Sequence, residues 1–105
     1  MATLLMLAAS PTLAAERSHQ STLKFVYTFS NGDFVIGFDS DPSTCSSPNV
    51  PKYFHVSVGE NGVNAAGSAK LFAAAMAALV TRQSVSAVFD DGTSNCYVNR
   101  ISVED

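Results

Sequence analysis

Two histidines, His19 and His55, are the only side chains here that ordinarily change charge near neutral pH. Neither has a Ser or Cys partner at a spacing that marks nucleophilic catalysis. No G-x-S-x-G, H-E-x-x-H, Walker or dinucleotide-binding glycine pattern is present. His55, in the run Lys-Tyr-Phe-His-Val, reads as an ordinary strand residue. Asp39 and Asp41, with Asp33 or Asn49, are oxygen donors of the kind Ca²⁺ takes. The Gly and terminal Glu of an EF-hand loop are missing, and a solvated loop is the simpler reading. Asp90-Asp91-Gly92 is turn chemistry. Paired carboxylates for glycoside cleavage would need a proximity that spacing alone does not supply. The residues therefore call for no catalytic group, metal or cofactor.

Binding chemistry is better represented. Asp33, Lys52, Tyr53 and Tyr97 combine aromatic rings with polar neighbours, the pairing that suits the apolar face and hydroxyl rim of a sugar. The net charge of −3, from six basic and nine acidic side chains, excludes the basic stripe that nucleic acid demands. It also excludes electrostatic attachment to anionic lipid.

Two further residues carry chemistry of a structural kind. Cys45 and Cys96 lie 51 positions apart, outside any C-x-x-C or metal-ligand spacing. In an exported protein such a pair forms one bridge; in a cytosolic one it stays as two thiols. The N-terminus favours export. Met1–Ala15 is uncharged in its side chains, with an apolar core at Leu4–Ala9, a break at Pro11 and small residues at its end. Residues 1–15 are read as a signal peptide, with cleavage after Ala15 and a mature chain from Glu16. A basic residue near the start is missing, so the true start codon is open, and a buried N-terminal helix is the alternative. No segment reaches the ~20 apolar residues of a membrane-spanning helix. The expected location is secreted or periplasmic.

The rest must position these groups. Leu23–Phe29 alternates with Leu23, Phe25, Tyr27 and Phe29 on one face, and Phe34–Phe38 is its return strand. Asn31-Gly32 between them is a strong two-residue hairpin signal. It would set Phe29 opposite Phe34, Tyr27 opposite Ile36 and Phe25 opposite Phe38, all on one buried face. Glu16–Thr22 reads as frayed or an edge. The stretch 39–51, rich in Ser and Pro, is a loop pinned at Cys45. Strands are expected at Lys52–Val58, Ser84–Phe89 and Cys96–Val103.

A helix is expected from Ala65 or Ala69 to Arg82, capped by Asn64 or Ser68. Phe72, Ala75, Met76, Leu79 and Val80 form its apolar stripe. Ala73, Ala74, Ala77 and Ala78 form a smooth second face, covered either by the sheet or by another copy of the chain. The order of elements gives an α+β domain over residues 16–105: a five-stranded antiparallel sheet, curled into a small, partly closed barrel on one helix.

The run Ala69–Arg82, with Gln83-Ser84-Val85, Asp90-Asp91-Gly92 and Cys96-Tyr97-Val98-Asn99-Arg100-Ile101, resembles a family of small exported bacterial proteins. More distantly it is similar to the B subunits of subtilase cytotoxin and typhoid toxin. The resemblance implies an OB-like barrel, export, a cysteine bridge and a homo-oligomeric ring with helices at its pore. Those B subunits bind sialylated glycans, but their sugar contacts match no positions here. The expected function is a non-enzymatic binding module for a surface glycan or protein partner. The alternative is an envelope assembly protein acting through self-association.

Overall fold

The computed structural model describes residues 15–104; of the leader expected over residues 1–15, all but Ala15 lies outside them. Five strands and one helix follow one another as β1 (Glu16–Thr28), β2 (Phe34–Phe38), β3 (Phe54–Val56), α1 (Ala65–Thr81), β4 (Ser84–Asp90) and β5 (Val98–Glu104). The strands form one antiparallel sheet in the order β3-β2-β1-β4-β5. The α+β class and the five-stranded antiparallel sheet expected from the sequence are present.

The barrel is not. The sheet stays open between β3 and β5, where one backbone bond, His55 N–H to the Asn95 carbonyl at 3.1 Å, spans the gap. With only three residues, β3 is too short to build a closing ladder.

β1 does two jobs. Its first half, Glu16–Thr22, pairs with β4, and its second half pairs with β2. Glu16–Thr22, expected as frayed or an edge, is thus an ordered strand laddered to β4 on one side, and the β2 ladder begins only at Leu23. Its polar residues lack the alternation that marks a half-buried strand, and backbone pairing with β4 holds them instead. An irregularity between Leu23 and Phe25 separates the halves.

The β1–β2 register also differs from expectation. The connection is five residues long, closed by Phe29 N–H to Asp33 O at 2.9 Å, so Thr28 stands opposite Phe34 and Val26 opposite Ile36. Tyr27 then faces Val35, and Phe25 faces Gly37. A one-residue slip moves every side chain to the other face. Phe25 and Tyr27 therefore leave the core. The irregularity at Lys24 restores the phase, and Leu23 joins Phe38 inside.

The core lies between the sheet and α1. Phe38, Phe54 and Phe89 meet edge to face at 4.9–5.0 Å, and Phe34 meets Phe72 of the helix at 5.4 Å. The helix starts at Asn64, whose side-chain oxygen accepts the Gly67 amide, as the cap chemistry predicts. Its buried line is Ser68, Ala75 and Ala78, flanked by Leu71, Phe72 and Leu79. Ala78 therefore belongs to the core and not to a free face. Of the smooth alanine face only Ala78 is turned to the sheet, whereas Ala73 and Ala77 are exposed and Ala74 is half-buried. Val80, expected in the apolar stripe, is 75% exposed.

Candidate functional site

The face of the sheet opposite α1 carries a run of rings. Phe25 stacks on Tyr27 at 4.5 Å, and both meet Tyr53 edge to face at 5.6 and 5.7 Å. Tyr53 leads to His55 at 6.3 Å, and His55 to Tyr97 at 6.3 Å. Tyr27 is half exposed and the other four are partly buried. Val35, fully buried but outside the main core cluster, faces Tyr27 and His55 across the ladders. Gly37 provides the floor for Phe25: a Cβ there would stand 2.2 Å from the Phe25 ring.

Loops hold Tyr53 in the middle of the run and Tyr97 at its end. The buried Ser47 hydroxyl accepts the Tyr53 amide at 3.1 Å and the Asn49 amide at 3.3 Å. Asp41 accepts the Lys52 amide at 3.0 Å, and the Lys52 ammonium donates to the Pro42 carbonyl at 2.7 Å. The long serine/proline loop thus presents Lys52 and Tyr53. Cys45 within it is bonded to Cys96, with the Cα atoms 5.9 Å apart. Cys96 adjoins Tyr97, so one bridge ties the loop that leads to Tyr53 to the segment that carries Tyr97.

Asn95 organises the Tyr97 end. Its carbonyl accepts both the backbone amide of His55 and the ring Nδ1, the latter at 3.0 Å. A carbonyl can only accept, so Nδ1 carries the proton and neutral His55 keeps Nε2 as a lone-pair acceptor. The Asn95 amide donates to the Tyr97 hydroxyl at 2.8 Å, which leaves that hydroxyl free to donate onward. Asn61 donates to the Tyr97 carbonyl at 2.8 Å and accepts from Asn99. An acceptor on His55 and a donor on Tyr97 therefore stand beside aromatic surface.

No protein-family model, curated protein or solved structure matches the chain. The reading of the site rests on its own geometry.

Of the four residues singled out in the sequence, Tyr53 and Tyr97 belong to this run, linked through His55, while Lys52 precedes Tyr53 in the chain with its ammonium on the Pro42 carbonyl. Asp33 does not join their ring contacts. It sits in the β1–β2 turn, where its carboxylate accepts the Val58 amide at 3.1 Å and the Asn31 amide. There it lines an open cleft of about 330 Å³ with Phe29, Phe34 and Phe72. A second cleft, about 240 Å³, continues past Phe72 to Val58 and Ala69. Neither cleft includes a ring of the run. The acidic residues of the long loop go to separate partners: Asp39 to Thr22 and Arg82, Asp41 to Lys52. Among the described residues no cluster of His, Cys, Asp and Glu could hold a metal ion. Sequence reasoning missed Phe25, Tyr27 and His55 as surface groups, because it assigned the two aromatics to the core and His55 no role.

Proposed function

We propose that this is an exported, non-enzymatic binding module that takes a glycan on the outer aromatic face of its sheet. The observation that carries the reading is the run Tyr27–Phe25–Tyr53–His55–Tyr97, with Lys52 and the Asn95 amide at its margins. Ring faces take the C–H side of a sugar; His55 Nε2 and the Tyr97 hydroxyl supply an acceptor and a donor for neighbouring sugar hydroxyls. The disulfide fits an oxidising compartment. Among the described residues no helix is long and apolar enough to cross a membrane.

The test is a glycan array probed with the disulfide-intact protein and with Tyr53→Ala. Binding by the native chain that Tyr53→Ala abolishes is expected. A blank array with folded, oxidised protein would remove the reading. A second reading, self-association, is favoured by Val80, which is three-quarters exposed beside exposed Ala73 and Ala77 and half-buried Ala74. It requires a stable oligomer by light scattering that Ala77→Glu converts to a folded monomer.

A further inference from the structure

The backbone of Ala15 is clasped by Asp91. The Ala15 N–H donates to Asp91 Oδ1 at 2.8 Å, and the Asp91 N–H returns a bond to the Ala15 carbonyl at 3.1 Å. The second carboxylate oxygen holds the Arg17 guanidinium at 2.7 Å. The β1–β4 ladder starts at the next pair, Glu16 with Asp90. Removing Ala15 would strip the Asp91 amide of its acceptor and the carboxylate of a donor. The sheet has a place for Ala15.

The sequence before it agrees. Leader peptidases favour small side chains one and three residues before the cut. A cut after Ala15 puts Leu13 in the third position, which fits that pattern less well. A cut after Ala14 puts Thr12 there, which is small.

We infer that the leader is removed between Ala14 and Ala15, so that Ala15 is the first residue of the mature chain and its new ammonium pairs with Asp91. The inference rests on the export reading proposed above and moves the cut by one residue. Hydrolysis of that peptide bond consumes one water from the medium. Ala14 leaves as a carboxylate; Ala15 gains an amine, which takes up a proton at neutral pH. The amide donor becomes a charged one at the same carboxylate, and a charge-assisted bond is the stronger kind. Cleavage thus completes the first corner of the sheet.

The full 105-residue chain, expressed in a bacterium with a general export pathway, supplies the test. N-terminal sequencing of the exported protein is expected to begin Ala-Glu-Arg. A chain beginning Glu-Arg-Ser, or at any other internal residue, overturns the inference and leaves export standing. A chain found only in the cytoplasm with Met1 in place overturns both. Two variants add an independent arm. Ala14→Leu is expected to lose processing at this bond, and Ala15→Leu to keep it. The reverse pattern places the cut after Ala15 and refutes the inference.

Discussion

Two carboxylates at the rim of the sheet are ionised by what touches them. The Thr22 hydroxyl, and then the Arg82 guanidinium, hold the Asp39 carboxyl below its ordinary 3.8. The Ala15 amide, and then Arg17, do the same for Asp91. A carboxyl whose folded pKa is lowered adds stability above its unfolded value and loses it as pH falls through the folded one. Asp39 is exposed and Asp91 is partly covered at the rim of the sheet, so each effect is small. Thermal midpoints should be flat above about pH 5 and decline below about pH 4. Asp39→Asn and Asp91→Asn should each flatten that decline. An equally steep decline in the double variant would show that other groups control it. The same scale holds the chemistry of the aromatic face. ¹⁵N spectra of the neutral His55 ring should show Nδ1 protonated and Nε2 bare. The opposite tautomer would break the Asn95 contact and leave the face without its acceptor.

At the scale of elements, the β1–β2 hairpin decides which aromatics reach solvent. Gly37 is the sensitive point, because the Phe25 ring occupies the space of any side chain there. Gly37→Ala should displace that ring and break its stack on Tyr27. The obstacle is a movable side chain, so the cost in stability should be about 1–2 kcal/mol, within the range of core overpacking. The check is twofold: urea unfolding for stability, and loss of ring-to-ring nuclear Overhauser contacts between Phe25 and Tyr27. Retained contacts would mean the packing tolerates the methyl. The hairpin also shows what could be read beforehand. The positions of β2 and β4, the helix cap and the turn residues were legible because each has a local cause, whereas Glu16–Thr22 of β1 was not. The register was not. Phe25, Val26 and Tyr27 are all apolar, and β2 is buried at all five positions, so alternation could not choose a face. The turn settled it: Asn31 Oδ1 accepts the Asp33 amide at 3.0 Å, and Gly32 takes φ 96°. That makes a five-residue connection where Asn-Gly alone announces two. The aromatic face was hidden by the same ambiguity. Tyr53 and Tyr97 stood out as candidate contacts, whereas their partners Phe25 and Tyr27 looked like core. Alanine gave the converse error, since Ala78 has no bulk to mark it as interior.

For the whole molecule, one covalent link joins what the sheet leaves open. One backbone bond reaches from β3 to Asn95 in the turn before β5, and the Cys45–Cys96 bridge lies beside it. Closing a loop of 51 residues stabilises by about 4 kcal/mol in the chain-entropy account. A small domain has only about 5–15 kcal/mol in total, so the loss would be a large fraction. Replacing both cysteines by alanine should therefore lower the urea midpoint sharply while the remaining fold stays cooperative. The same change frees the loop that presents Lys52 and Tyr53 from the segment that presents Tyr97. Glycan affinity should then fall even under conditions where the double variant is fully folded, because the two halves of the face are no longer held in one geometry. A variant that lost stability but bound sugar with unchanged affinity would separate the two roles, and would assign the shape of the face to the Ser47 and Asn95 hydrogen bonds alone.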